Sequence, residues 1–270
     1  MAEILITKAN GQQEPFVESK LRESLERAGA HEEAIKDIVR HIEAELSDGM
    51  TTAAIYRHAF ALLKQRERPA AARYSLKRAV LDLGPTGFPF EEFIAEIFRA
   101  KGFDTKTQQT LEGACGRHEV DVLATKATRR IGCEAKFHNA PGLKSDMKVA
   151  LYVRARFDDL EGHTDINEPW LVTNTKFTGD AIEYGTCAGL TLVGWSYPRT
   201  GNLQDLIEET KVHPVTALTT IPKRVKKQLL EKKVVLCKTI QHDDTALRAA
   251  GLPSKVIDAV MQESQTLCKP

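Results

Sequence analysis

Glu119-Val-Asp-Val-Leu-Ala-Thr-Lys-Ala-Thr-Arg-Arg-Ile-Gly-Cys-Glu-Ala-Lys136 is the stretch on which the reading of the fold turns. Glu119 to Thr125 and Arg130 to Phe137 read as two strands with a short connection between them. Side chains alternate faces along a strand, so Glu134 and Lys136 point one way while Cys133, Ala135 and Phe137 point the other. If the two strands form a hairpin, Asp121 lies opposite this pair. Two carboxylates and an ammonium then converge at one end of a sheet. Two carboxylates supply hard oxygen ligands for Mg²⁺, an ion that keeps waters and open positions for a phosphate. A lysine beside such an ion can orient or deprotonate a bound water, so the set has the parts that phosphodiester hydrolysis needs.

The flanking sequence supports an α/β domain. Upstream, Phe90, Phe93, Ile94, Ile97 and Phe98 form one helical face, and Lys101-Gly102-Phe103 ends the helix. On a helical wheel Glu91 falls at the margin of that face, near the sheet edge, and Glu92 falls toward solvent. Downstream, Lys148 to Leu160 reads as a helix. Trp170 to Thr173, a helix across Gly179 to Ala188, and Leu190 to Tyr197 suggest a βαβ unit. Glu-x-Lys in a strand is a common exposed pair on its own; the order of elements around it gives it weight.

In that order, Phe90-Glu91, Lys101-Gly102-Phe103, Val120-Asp121-Val122, Glu134-Ala-Lys136 and Leu171-Val-Thr-Asn-Thr-Lys-Phe-Thr178 resemble the Mrr-like restriction endonuclease domain of the PD-(D/E)xK superfamily, from Gly87 to about Leu206. The resemblance implies that Asp121 and Glu134 bind Mg²⁺ and that Lys136 is catalytic, with Glu91 in support. The family usually has a glycine-rich turn before its aspartate. Here His118-Glu119 stands there: Glu119 either joins the metal site or is a strand-edge acid, the reading we favour, and we read His118 as a surface histidine rather than a general base.

Gly84-Pro85-Thr86-Gly87 is the clearest break in the chain, and we place a domain boundary there, giving units 1–84, 85–205 and 206–270. The first unit opens with strand character from Glu3 to Thr7 and a turn at Ala9-Asn10-Gly11. Ile35, Ile38, Val39, Ile42 and Leu46 then repeat at helical spacing, Thr51 or Thr52 can cap the next helix, and Pro69 opens a fourth. Lys8 at the end of a strand and Lys20 at the start of a helix can meet over a polyphosphate. Ile6-Thr-Lys8, Asn10-Gly11, Glu14-Pro15-Phe16, Lys20-Leu21, Thr52 with Ile55, and Ala71-Ala-Arg73-Tyr74 before Lys77 resemble the ATP-cone, a nucleotide-binding regulatory domain. The resemblance implies ATP or dATP as a regulatory ligand, held by Lys8, the stretch Glu14, Pro15, Phe16 to Lys20, and Thr52. No Gly-x-x-x-x-Gly-Lys-Ser/Thr loop is present, so nothing supports an ATP-hydrolysing motor.

The last unit is helical and basic. From Lys211 to Lys238 eight lysines and arginines meet a single acid, Glu231. Lys223, Arg224, Lys226 and Lys227 cluster at a helix start and suit phosphate contacts without sequence reading. Leu218-Thr-Thr-Ile-Pro222 and Leu247-Arg-Ala-Ala-Gly-Leu-Pro253 loosely resemble helix-hairpin-helix turns, which hold DNA backbones through turn amides, with Gly251 as the close-approach residue.

Composition sets outer limits. Hydrophobic residues at 42% and charged ones at 28% are ordinary for a folded chain and exclude global disorder. No apolar run is long enough for a bilayer, and the N-terminus does not read as a signal peptide. The five cysteines form no Cys-x-x-Cys pair, which argues for reduced thiols in a cytoplasm and against a structural zinc site. The expectation is a cytoplasmic, metal-dependent endonuclease acting on double-stranded DNA, set by nucleotide; the alternative is a non-catalytic, nucleotide-responsive DNA-binding regulator. A double-strand break needs two passes of one active site or two subunits, and a symmetric homodimer fits the pseudo-two-fold of a duplex.

Overall fold

The computed structural model describes residues 4–8 and 11–268. Glu3, at the head of the expected first strand, and Ala9-Asn10 of the expected turn lie outside the described residues. Strands β1 (Leu5–Thr7) and β2 (Gln13–Pro15) form a small antiparallel hairpin, with Leu5 opposite Pro15. Helices α1 (Glu18–Arg27), α2 (Glu32–Glu45), α3 (Thr52–Arg66), α4 (Arg68–Tyr74) and α5 (Leu76–Leu81) follow. The stripe read in α2 is buried at Ile35, Ile38, Val39 and Ile42, and it packs on Leu21, Leu25, Ile55 and Leu63. Of the two candidate capping threonines it is Thr51 that caps α3, its hydroxyl accepting from Ala54 N at 3.1 Å.

The central unit runs α6 (Phe88–Ala100), β3 (Asp104–Glu112), β4 (Arg117–Lys126), β5 (Arg129–Lys136), β6 (Lys144–Ser145), α7 (Met147–Leu160), β7 (Glu168–Thr173), β8 (Lys176–Phe177), α8 (Gly179–Cys187) and β9 (Thr191–Val193). Its main sheet has the order β3-β4-β5-β7-β9, antiparallel from β3 to β5 and parallel from β5 to β9. The hairpin expected of β4 and β5 is present, and β7-α8-β9 is the expected parallel crossover. Ile131, Cys133 and Ala135 join Phe90, Phe93, Ile94 and Phe98 of α6 in a core on one side. Leu171, Val153, Phe157 and Ala181 form the core on the other, under α7 and α8. Close packing of α7 explains Gly132: a Cβ there would stand 2.5 Å from the Phe157 ring and 3.0 Å from Ile166.

Strand β3 had no counterpart in the sequence reading. Its residues, Asp-Thr-Lys-Thr-Gln-Gln-Thr-Leu-Glu, alternate between exposed and half-buried, and of them only Leu111 is an apolar side chain packed against a core. It is an edge strand whose pairing is carried by its backbone. Strands β6 and β8 pair with each other in parallel, Lys144 beside Lys176.

Helices α9 (Leu203–Thr210), α10 (Lys223–Glu231), α11 (Cys237–His242), α12 (Thr245–Ala249) and α13 (Ser254–Leu267) complete the chain. Pro222 and Pro253 stand at the N-caps of α10 and α13, as their repeated pattern suggested. The sulfurs of Cys237 and Cys268 come within 2.6 Å of each other, a proximity their separation in sequence concealed.

One stretch contributes to the core of each of the three units. Ala70 and Ala71 of α4 pack in the N-terminal core. Ala72 and Ala79 pack against Val215, Leu218 and the C-terminal helices. Leu76, Val80 and Leu83 pack with Phe90 and Phe93 of the central unit. The break at Gly84 is therefore one of chain path, and packing runs straight across it.

Candidate active site

The β4–β5 ladder ends with Val122 opposite Cys133, so Asp121 and Glu134 are the next positions on the two strands, and Glu134 meets Arg156 of α7. Asp121 Oδ2 accepts from Ala135 N at 2.7 Å, so the backbone of the partner strand aims one carboxylate oxygen, and the other takes no hydrogen bond among the described residues. Burial, then the charge of Glu134, push the Asp121 carboxyl up to about 7; the Ala135 N–H opposes this and Glu91 adds to it. Both effects make the doubly ionised pair costly without a cation.

Around Asp121 the sheet is distorted. Val120 packs in the α7–α8 core and Val122 in the α6 core, although residues two apart on a regular strand share a face. The partner position on β3 is Gln108, which the ladder skips and whose φ is +52°. A left-handed non-glycine residue is costly backbone, and such residues cluster at functional sites. The Gln108 amide donates to Glu91 Oε2 at 3.2 Å. Glu91 is half-buried, and burial raises its pKa against that hydrogen bond, with the charges of Glu119, Glu134 and Glu92 adding to the rise. The helix wheel thus located Glu91 well and Glu92 poorly: Glu92 is half-buried and accepts from Thr107 Oγ1 at 2.7 Å, because β3 covers that side of α6.

Glu134 has a partner the sequence reading missed. Arg156, on α7, ion-pairs with its Oε2, and the two side chains are only 10% and 15% exposed. The same guanidinium donates to the Tyr152 hydroxyl at 3.1 Å and lies 4.9 Å from the centre of that ring. Lys136 is exposed and makes no hydrogen bond or ion pair among the described residues. Its segment is fixed by Asn174, fully buried, which accepts from His138 N and donates to His138 O, both at 2.8 Å. Asn174 sits in the quoted Leu171–Thr178 motif, so the sequence held its position but not its role.

His118 is half-buried and pairs with Asp159 of α7 at 2.6 Å. Asp159 also accepts from Cys115 N and Gly116 N at 2.8 and 3.2 Å, so the pair latches the β3–β4 turn to α7. That corrects the expectation of a surface histidine. Glu119 is exposed, consistent with a strand-edge acid.

Among the described residues no group of three or more His, Cys, Asp or Glu side chains is placed to hold one ion. The donor set is the carboxylate pair Asp121 and Glu134, which fits Mg²⁺, an ion usually held by one or two carboxylates with water and phosphate filling the rest.

In the N-terminal unit Lys8 and Lys20 do meet over an anion, the Glu14 carboxylate, at 2.5 and 3.6 Å. Glu14, Pro15, Phe16, Lys20 and Thr52 line one cavity of about 170 Å³ together with Tyr56 and Tyr74. The rings of Tyr56 and Tyr74 stack at 5.3 Å, an aromatic wall that the sequence reading did not include. Tyr74 is two residues from Leu76, which is buried in the core of the central unit.

The basic C-terminal set divides. Lys223, Arg224 and Lys227 are exposed. Lys226 turns inward and donates to Thr216 O at 2.5 Å; burial lowers its pKa to about 8. It is half-buried and committed to a carbonyl of its own chain, unlike its exposed neighbours. The turn amides are also engaged within the chain. Glu263 accepts from Thr219 N and Thr220 N at 2.7 and 2.9 Å, while Gly251 N and Leu252 N close the end of α12 on Arg248 O and Leu247 O. The glycine at 251 answers to its φ of +76°, and a Cβ there would meet nothing within 4 Å.

Three family models match successive parts of the chain. Residues 4–81 match the ATP cone domain family, residues 85–195 the restriction endonuclease catalytic family Mrr_cat, and residues 213–268 the family described as AF1548-like, C-terminal. An uncharacterized protein of Archaeoglobus fulgidus is 36% identical over 173 residues, 64% of this chain and 98% of its own length. The crystal structure of AF1548, a protein of unknown function, superposes with a TM-score of 0.57 at 34% identity, covering 68% of this chain and 98% of that one. The MspJI restriction endonuclease in complex with a 27-mer oligonucleotide overlaps at a TM-score of only 0.33 and 16% identity, over 66% of this chain and 44% of that one. The chain belongs to the AF1548-like family, and it joins an ATP-cone to an Mrr-like restriction endonuclease domain of the PD-(D/E)xK superfamily.

Proposed function

We propose that the chain is a metal-dependent DNA endonuclease whose activity is set by ATP or dATP in the N-terminal cavity. The observation that carries this reading is the facing pair Asp121 and Glu134, with the Asp121 carboxyl raised to about 7 beside an unpartnered Lys136. A pair that resists double ionisation gains most from a divalent cation. Bound Mg²⁺ would polarise the phosphoryl group and acidify a water. Asp121 and Glu134 would hold it, each with one oxygen already committed, to Ala135 N and to Arg156. Lys136 orients the attacking water and carries its proton, held in place by the Asn174 clamp on the residues that follow it. Glu91, fixed by Gln108, supports the site from the α6 side.

Nucleotide control is supported by the short path from Tyr74 in the cavity wall to Leu76 in the nuclease core. Lys8 and Lys20 take the polyphosphate, with Glu14, Pro15, Phe16 and Thr52 around it. Lys223, Arg224 and Lys227 remain candidates for phosphate contacts flanking the cut. Two chains about a two-fold axis would cut both strands of a duplex. No helix of the described residues is long and apolar enough to cross a membrane, which suits the cytoplasmic setting of this reading.

The test is cleavage of plasmid DNA with and without Mg²⁺ and ATP, by wild type and by Asp121→Ala. Cleavage that needs Mg²⁺, responds to nucleotide and disappears in the variant is the expected result. Wild-type-like cleavage by Asp121→Ala overturns the site, and DNA binding with no cleavage at all favours the non-catalytic regulator.

A further inference from the structure

Five large hydrophobic side chains stand exposed among the described residues, and four of them fall within ten consecutive positions: Leu143 (49%), Met147 (37%), Leu151 (44%) and Tyr152 (63%). The same stretch carries Lys144 and Lys148, both exposed and neither paired with a carboxylate among the described residues. Across the β6–β8 ladder Lys144 sits directly beside Lys176, also exposed and also without an acid. Like charges in register repel, so this pair is a local cost unless something neutralises it. Lys77 of α5 adds to the same field, since Lys176 helps to lower its pKa after burial. The nearest acid in the stretch, Asp146, is engaged in capping α7 through Val149 N at 3.2 Å.

This edge is continuous with the carboxylate pair at two points. Tyr152 touches Arg156, which holds Glu134. The His138 ring meets Ser145 Oγ at 3.0 Å and so ties the segment after Lys136 to the ladder. Cations without partners, interleaved with an exposed ring and aliphatic side chains, match a nucleic acid, whose phosphates take the charge and whose bases take the ring. A second copy of the chain would bring the same positive ladder against itself.

We propose that β6, β8 and the outer edge of α7 form the nucleic-acid track of the nuclease domain, with Lys144, Lys176 and Lys148 on phosphates and Tyr152 stacked on a base beside the cut. This rests on the endonuclease reading and gives it a binding surface. Arg156 then links the stacked ring to Glu134, so that occupancy of the track reaches the metal site.

The experiment measures binding of labelled DNA, duplex and single-stranded, by wild type, a Lys144→Ala/Lys176→Ala double variant, Tyr152→Ala and Tyr152→Phe, over a range of salt. The double variant should lower the log–log salt slope by about 2, nearly one for each phosphate that is no longer neutralised. Its thermal stability should hold or rise, since a repulsion is removed, whereas a merely structural role for the lysines would lower it. Tyr152→Ala should weaken binding by about tenfold or more, as loss of one stacked base does. Tyr152→Phe should keep most of the affinity because it keeps the ring.

If wild type binds DNA and the double variant matches its affinity and slope, the track is wrong. If Tyr152→Ala leaves DNA affinity unchanged but halves the mass in sedimentation, the face is a contact between copies, and the proposal is equally overturned. A wild-type chain that neither binds nor cleaves DNA removes the endonuclease reading itself, which is visible before any variant is made.

Discussion

Asp121→Asn should stabilise the metal-free protein, and by more as pH rises. In the folded chain the Asp121 carboxyl titrates at about 7, above its ordinary value of 3.8. A carboxyl raised in this way contributes its full stability below the unfolded pKa and loses it as pH climbs through the folded one. From linkage, holding the group in this site costs about 1 kcal/mol at pH ~4.5 and about 4 kcal/mol at pH ~8.5. Asparagine fills the same space, cannot ionise, and still accepts from Ala135 N. The variant should therefore gain about 3 kcal/mol on wild type between those two pH values, roughly 6 °C or more in Tm for a chain of this size. The assay is thermal unfolding in EDTA at both pH values, repeated with Mg²⁺ or Ca²⁺. Divalent cation should raise the Tm of wild type at high pH and do little for the variant. A gap between the two proteins that does not change with pH, or an equal response to the cation, refutes the argument that Asp121 and Glu134 are held in mutual repulsion.

Three further outcomes are expected. Lys136→Ala should lower cleavage by about 10²-fold or more while leaving DNA affinity in Ca²⁺ near that of wild type, measured by single-turnover cleavage and titration. Lys20→Glu should abolish ATP and dATP binding to the full chain in calorimetry by setting a carboxylate against the phosphates beside Glu14; unchanged heats would remove Lys20 from the cavity's function. Gly132→Ala should destabilise the chain by about 1–3 kcal/mol, since the new Cβ overpacks against Phe157 and Ile166, and chemical denaturation with an unchanged midpoint would contradict the packing described.

What could be read from the sequence followed hydrophobic signal. The α2 stripe, the β4–β5 hairpin, the α6 face and the β7-α8-β9 crossover each bury a periodic set of apolar side chains, and each lay within a few residues of its expected span. Strand β3 has only Leu111 as an apolar side chain and was invisible for that reason, although it delivers Gln108 to Glu91. Glu134 and Lys136 could be placed on one face of β5 from strand alternation, whereas Asp121 sits where the alternation of β4 breaks between Val120 and Val122, which no sequence pattern announced. Arg156 was not legible, because its pairing with Glu134 depends on how α7 crosses the sheet, and no local pattern specifies that. Glu92 was misplaced for the related reason that a helix wheel knows nothing of an edge strand lying alongside it. In the C-terminal unit a run of basic residues was read as one face, yet helical geometry turned Lys226 inward to Thr216 while its neighbours stayed out. Glu263, which occupies the turn amides there, is 43 and 44 residues from its partners and could be found only in three dimensions.

The helical stretch from Ala70 to Leu83, whose residues are shared among three cores, bears on how the protein can come apart. Cutting the chain after Gly84 would leave Leu76, Val80 and Leu83 facing water on one fragment and open a hole beside Phe90 and Phe93 in the other. Neither piece would be a faithful sample of the whole. The units should melt together in one calorimetric endotherm, and the amides of α4 and α5 should be among the slowest in the molecule to exchange with deuterium. A chain assembled this way has no loose tether across which one part could move while the rest stands still. Any nucleotide that stiffens or slackens those two helices does so for the nuclease as well.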